Sequence, residues 1–257
     1  MRIVILFAFL MCSFCLVSKE PSAFRVVLAC DTFSQDISSG TNADFSRMKK
    51  TMYRIGSRIG MKPQFTLLKG SDLSLTNIKS WVASLPKPSN DILIFYFSGH
   101  GFRYANTTSK WPFLYLHGQS VSGQSIYQEI RKIQPRFALV LFDCCNNKIA
   151  YRKSPSQHYH SSDFVISGRS SIRGIRSLFL RSRGIVTVSA SSPGEYAIAL
   201  VGQKPRGSVF TMGLLNSLRK NSRKTNANWK SVLKNTVFFC NQQLYEKQHP
   251  VYSIEKK

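Results

Sequence analysis

A histidine followed by glycine, His100-Gly101, and an acid followed by two cysteines, Asp143-Cys144-Cys145, each stand just beyond an unbroken apolar run. The runs, Ile92–Phe97 and Phe137–Phe142, read as strands buried on both faces, the kind found inside a parallel sheet. In an open α/β sheet, chemistry collects at the carboxyl ends of the strands. A thiol attacks a carbonyl only as its thiolate, and an imidazole supplies what that needs: it takes the thiol proton and later protonates the leaving amine. Gly101 lets a backbone N–H approach a developing oxyanion closely, and the N–H of Cys145 offers a second donor. Taken singly, a cysteine ending a strand is more often a small hydrophobe, and a His-Gly pair a turn. Placed together at two matching strand ends, they point to nucleophilic catalysis.

The elements that must hold this pair follow from hydrophobic period. Phe24–Ala29 predicts the first buried strand, leading through Asp31 into a polar loop, Ser34–Asn42. That loop has no G-x-G-x-x-G and no G-K-[ST], so a nucleotide fingerprint is missing where it would sit. Asp31 follows a strand and either lines the same pocket as the cysteine or caps the loop; both readings stay open. Phe45, Met48, Met52, Ile55 and Ile59 recur at helical spacing, with Asn42 as cap and Gly60 as stop. Gln64–Leu68 is a second short strand. A helix carrying Ile78, Trp81, Val82 and Leu85 then ends at Pro86. The histidine strand follows, Trp111–Leu116 looks extended, and Ile126, Ile130 and Ile133 mark a helix stopped by Pro135. With the cysteine strand the order is β-α-β-α-β-α-β, which predicts an α/β fold with a parallel, doubly wound sheet. Asn147–Arg183 is basic and serine-rich with weak periodicity, and reads as a long, mobile surface linker. Gly184–Ala190 resumes the sheet, helices are expected over Val209–Lys220 and Asn228–Lys247, and Pro250–Tyr252 has the look of a last strand.

At 257 residues and 43% hydrophobic the chain suits one α/β domain. Its 36 lysines and arginines against 12 acids give a formal charge of +24, compatible with an anionic surface as partner. The positive residues are scattered and the aromatics fall in strands and helix cores, so no stacking platform for nucleic acid is visible and no specific nucleic-acid partner is expected. Met1-Arg2 followed by the apolar run Ile3–Val17 has the form of a secretory signal, too short for the roughly 20 residues of a spanning helix. Residues 1–23 are therefore expected to be a signal peptide or N-terminal anchor, and the protein secreted or held at the cell envelope. The remaining cysteines, Cys30, Cys144, Cys145 and Cys240, fit two disulfides poorly, since three fall at strand ends and two are adjacent. There is no C-x-x-C pair and no histidine spacing for zinc, so no metal and no cofactor are expected.

The run Phe95-Tyr-Phe-Ser-Gly-His-Gly101 and the run Leu139-Val-Leu-Phe-Asp-Cys-Cys-Asn146 resemble the histidine and cysteine motifs of the caspase-like peptidases, on the metacaspase side. Cys145 follows His100 by 45 positions, a similar separation to that of caspases. Gly207–Leu215 resembles the small-subunit helix motif, and Gln248-His-Pro-Val-Tyr-Ser253 the closing Q-x-P segment. The resemblance implies a three-layer caspase-like fold, with a mostly parallel sheet and helices on both faces, in one peptidase domain over 24–253. Residues 24–146 would be large-subunit-like, 147–183 the basic linker and 184–253 small-subunit-like. It further implies a cysteine endopeptidase acting on a protein or peptide substrate, with Cys145 as nucleophile, His100 as base, and Gly101 and Cys145 forming the oxyanion hole. Asn146-Asn147 departs from the family's His-Ser-Gly, which leaves a non-cleaving scaffold or binding module as the alternative. Calcium-dependent members use clustered aspartates; between Asp91 and Asp143 the only acid here is Glu129, so no calcium site is expected. Caspases that cut after aspartate carry a pocket arginine, where this chain has Ser38 and Ser39 beside Gly40, and a glutamine two residues before the cysteine, where it has Asp143. The pocket is thus expected to be acidic, lined by Asp143 and, on one of its two readings, Asp31. It would take arginine or lysine, with self-cleavage in the basic linker near Arg181 or Arg183.

Overall fold

In the computed structural model, which describes residues 20–148, 171–201, 205–242 and 248–256, the apolar runs become strands as their period predicts. The elements are β1 (Phe24–Cys30), α1 (Ser38–Ile59), β2 (Pro63–Lys69), α2 (Leu75–Ala83), β3 (Ile92–Ser98), β4 (Gly101–Phe102), β5 (Phe113–Leu116), β6 (Gln119–Ser122), α3 (Gly123–Ile133) and β7 (Phe137–Asp143). After the break come α4 (Ile172–Phe179), β8 (Gly184–Ser189), β9 (Ala199–Leu200), β10 (Gly207–Ser208), α5 (Val209–Asn221), α6 (Trp229–Gln242) and β11 (Val251–Glu255). The main sheet runs β11-β8-β7-β3-β1-β2 and is parallel except for β11, which pairs antiparallel on β8. Both β3 and β7 are buried along their whole length.

Alternate side chains of these strands feed two cores, which is why the runs show no polar gap. Val26, Ile94, Leu139 and Val186 point toward α1, α4, α5 and α6, where Met48, Met52, Phe179 and Trp229 pack. Val27, Phe95, Val140 and Phe142 face α2 and α3, meeting Ile78, Trp81, Ile126 and Ile130. The result is the expected three layers. Each fully buried Met or Ile of the α1 stripe contributes about 1.5–3 kcal/mol, enough to hold a helix whose first turn is rich in poor helix formers.

Several boundaries moved. α1 begins at Ser38 rather than after Asn42, because Thr41 is drawn inward, its hydroxyl donating to the Asp31 carbonyl at 2.5 Å. Gly60 ends it in the left-handed conformation, as expected (φ 76°). Trp111–Leu116 does become extended over Phe113–Leu116, but in a separate antiparallel sheet, β4-β5-β6, rather than in the main one. The segment 147–183 is not all linker: Ile172–Phe179 is helical and buries Ile175, Leu178 and Phe179. Residues 149–170 lie outside the described residues, as do the signal-like residues 1–19. No described helix is long and apolar enough to cross a membrane.

The expected self-cleavage near Arg181 or Arg183 meets an obstacle in this topology. Both residues precede the amino end of β8, whereas the cysteine stands at the carboxyl end of the neighbouring parallel strand. Six residues of strand put roughly 20 Å between them. Arg183 is moreover held there, its guanidinium donating to the carbonyls of Leu180 and Ser182. The folded chain cannot bring either residue to its own cysteine.

Candidate active site

β3 and β7 are neighbours, paired with Ser98 opposite Asp143, and the Gly99 N–H extends the ladder to the Asp143 carbonyl at 3.2 Å. His100 and Cys145 each stand two residues past that last pair. Their 45-position separation in sequence is therefore the register offset of the two strands, and both side chains line one cleft. The cleft also receives Asp36 from the turn before α1, Thr41 and Asp44 from the start of α1, Ala197 and Ile198 from the loop after β8, and Ser208 from β10.

The two adjacent cysteines divide the labour by strand alternation. Cys144 is buried among the α2/α3-side core, and burial, followed by the charges of Cys145 and Asp143, pushes its thiol well above the usual range. Cys145 turns to the cleft, where its Sγ accepts from the Ala197 N–H at 3.3 Å and lies 3.7 Å from the Ala197 carbonyl. Gly101 has no room for a side chain: a Cβ there would strike Cys144 Sγ and sit 2.6 Å from the Cys145 carbonyl. Tyr115 N–H donates to the His100 carbonyl at 3.0 Å. Gly101 faces Leu114 as the next pair, and the antiparallel alternation makes that the pair exchanging no hydrogen bond. The Gly101 N–H is thus not spent on the ladder and stands beside the cysteine. The imidazole itself meets Asp36, whose Oδ1 lies 3.2 Å from His100 Nε2.

Below the pair the cleft is acidic. Asp143 ends β7 with one carboxylate oxygen taking three hydroxyls: Thr211 at 2.7 Å, Tyr96 at 3.2 Å and Ser208. Its other oxygen, Oδ1, is buried without a partner among the described residues. Burial raises this carboxyl to about 6 against the lowering effect of those hydroxyls. Asp44, near the end of the second turn of α1, is 1% exposed and takes the Ser208 N–H on both oxygens, at 3.0 and 2.9 Å. Burial first and Asp143 second push it well above the usual carboxylate range. Among the described residues Asp143 has no cationic partner and Asp44 has only Arg47, whose Nη1 lies 3.9 Å from its Oδ1, so two carboxyls share one buried recess with little positive charge to balance them.

Of the two readings of Asp31, the structure takes the loop cap. Its carboxylate accepts the N–H groups of Phe33 and Ser34 and the Ser34 hydroxyl at 2.6 Å, with His117 Nε2 at 3.6 Å. It does not line the cleft, and its place in the expected pocket passes to Asp44. Ser38 and Ser39 likewise start the helix rather than face a guest. A signal for Asp44 did exist: an acid at helical spacing from Met48, on the inward face of an otherwise apolar stripe.

Asn146, the departure from the family pattern, is fully buried and fully used. Its side chain accepts from Arg103 Nη1 at 3.0 Å and donates to the carbonyls of Lys110 and Ser191 at 2.9 and 3.3 Å. Its backbone exchanges bonds with Glu195 and Gly194. It thereby ties the cysteine turn to the loop carrying Ala197. That loop is strapped from behind by the tail: Gln248 spans Ala190 and Ile198, and Glu195 pairs with His249 Nδ1 at 2.7 Å. Asn146→Ala would leave a guanidinium and two carbonyls short of partners, each costing about 1–3 kcal/mol. We expect a loss of about 2–4 kcal/mol in urea unfolding, against little change for Asn147→Ala, whose exposed amide among the described residues bonds the adjacent Lys148 carbonyl. Equal midpoints for the two variants would refute the staple.

Comparison with known proteins bears on the fold and the family. No curated protein matches the chain. Among solved structures it is similar to the crystal structure of caspase-1 from Spodoptera frugiperda, with a TM-score of 0.55 over 90% of this chain and 87% of that one, at 14% identity. So low an identity speaks for the fold. The caspase domain family itself matches residues 25–256, a span that takes in every strand end contributing to the cleft. The chain belongs to the caspase domain family of cysteine peptidases.

Proposed function

We propose that this chain is a cysteine endopeptidase that uses His100 and Cys145 to hydrolyse peptide bonds after arginine or lysine. The observation that carries the specificity is the buried, unpartnered Asp143 Oδ1 beside Asp44, directly below the cysteine. A guanidinium or ammonium entering the recess gains charge-assisted hydrogen bonds worth about 1.5–3 kcal/mol, roughly 10- to 150-fold in preference. An aspartate side chain there meets repulsion. The substrate's scissile carbonyl then lies over Cys145, whose proton passes to His100 as sulfur bonds to carbon. The oxyanion is received by the N–H groups of Gly101 and Cys145. Collapse breaks the C–N bond with the imidazolium proton going to the amine, and water, deprotonated by His100, hydrolyses the thioester.

A non-cleaving scaffold draws less support, because the departure at Asn146 that raised it is taken up in holding the cleft together. We place the protein in the secretory route or at the envelope on its N-terminal run alone. An anionic surface as partner, and self-cleavage at the basic residues within 149–170, likewise rest on sequence only.

A peptidyl-arginine acyloxymethyl ketone, followed by mapping of the modified peptide, tests the site and its preference together. Labelling on Cys145, outcompeting the aspartyl analogue, is the expected result; labelling on Cys144, or equal labelling by both probes, would refute one half of the reading or the other.

A further inference from the structure

We infer that Asp36 is a positioning residue for His100, so that the chain carries a Cys145–His100–Asp36 relay rather than a pair; this rests on the peptidase reading above. A carboxylate can only accept, so at 3.2 Å the proton between them belongs to His100 Nε2. That fixes the tautomer: Nδ1 keeps its lone pair and is the nitrogen left for the Cys145 thiol. When the thiol proton arrives, the imidazolium faces a negative charge on its far side, the arrangement by which an acid holds and stabilises a catalytic imidazole.

The contact is built, and this is where Asp31 finds its role. The Asp31 carboxylate organises a turn by taking the N–H groups of Phe33 and Ser34 and the Ser34 hydroxyl. Ser34 in turn accepts from the N–H groups of Ile37 and Ser38 at 3.1 and 2.8 Å, closing the first turn before α1. Asp36 sits inside that closed loop, and the loop leans on the histidine segment, since a Cβ at Gly99 would come within 2.9 Å of Asp31 Cβ. Charge statistics favour a specific pairing as well. With 36 lysines and arginines and only 12 acids in the chain, an exposed aspartate has three basic residues to choose from for every acid. Yet among the described residues Asp36 pairs with no lysine or arginine, and its one ionic partner is His100.

Asp36 is half exposed, so water shares the charge and the effect is smaller than for a buried acid. For Asp36→Asn we expect kcat on an arginyl peptide to fall about tenfold with KM within about twofold, since the interaction strengthens only as His100 becomes charged. Asp36→Glu should return most of the loss, and thermal unfolding should not move. A wild-type kcat in Asp36→Asn, or a rise in KM alone, would overturn the proposal, the latter by making Asp36 a substrate contact. A second arm keeps this separate from the peptidase reading: the rate at which iodoacetamide alkylates Cys145, mapped by mass. If wild type cleaves no peptide, that reading fails, while slower alkylation in Asp36→Asn and His100→Ala alike still supports the relay. Unchanged alkylation in Asp36→Asn overturns it.

Discussion

Cys145→Ala is expected to abolish peptide hydrolysis with no change of fold, whereas Cys144→Ala keeps most of the activity. The difference follows from strand alternation: Cys145 Sγ lies in the cleft against Ala197, while Cys144 fills space beside Gly101 in the core. The loss in Cys144→Ala falls on stability instead, because a buried sulfur is removed from a close-packed site. His100→Ala should lower kcat by ~10³ or more, since the thiol then has neither a base nor a counter-charge. Steady-state kinetics on an arginyl peptide, with circular dichroism of each variant, checks all three. A dead Cys144→Ala beside an active Cys145→Ala would show that the register at the end of β7 had been misassigned. Full activity in both would remove the site altogether.

Specificity should titrate. Asp143 is held at about 6 by burial, so in the free pocket it is neutral below that pH and ionised above it. The advantage of an arginyl over a citrullyl substrate of the same shape should therefore be small at pH 5 and rise through pH 6 to a plateau. Taking the ratio of kcat/KM values cancels the ionisations of Cys145 and His100, which both substrates share. Asp44→Asn removes the second carboxyl of the recess while keeping an acceptor for the Ser208 N–H, and should cut the plateau ratio about 10-fold. Asp31→Asn, by contrast, should leave the ratio intact, because that carboxylate holds a turn and does not face the guest. A ratio that stays flat with pH, or an outright preference for aspartyl substrates, would overturn the acidic pocket.

Metal removal separates this chain from calcium-dependent relatives on the same grounds. A hard cation wants several carboxylates at once, and among the described residues no group of three or more Asp, Glu, His or Cys side chains is placed to hold a metal ion. Activity should be the same with chelator as with millimolar calcium, and strong activation by calcium would refute this.

What the sequence by itself determined is whatever depends on local period and on position along a strand. Ile92–Phe97 and Phe137–Phe142 had to be interior strands, because a run with no polar gap can be satisfied only with both faces covered, and Phe24–Ala29 departs from that only at Arg25 near its start. The stripe from Phe45 to Ile59 had to be a buried helix face, and Gly60 its end. His100 and Cys145 were legible because parallel strands place their carboxyl ends on one edge of the sheet, and the adjacency of β3 and β7 then brings both to one cleft. Helix α4 was nearly legible: Ile172, Ile175, Leu178 and Phe179 have helical spacing. The basic residues around them and Gly174 hid it, and that glycine is needed because a Cβ would strike the Ser222 carbonyl of the segment packed against it.

Only the tertiary structure decided which acid does what. Asp31, Asp36 and Asp44 lie within fourteen residues and are chemically alike. Whether each caps a turn, faces an imidazole or enters the cleft depends on how the start of α1 seats against β10 and the histidine turn, contacts to residues far away in the chain. Asn146 looked like a lost motif for the same reason, its partners being drawn from positions 103, 110, 191, 194 and 195. The short strands β4, β6, β9 and β10 carry too few residues for any period to show, and they exist because neighbours supply their hydrogen bonds. A residue's own neighbours in sequence set its backbone and its face; what that face meets is set by the rest of the chain.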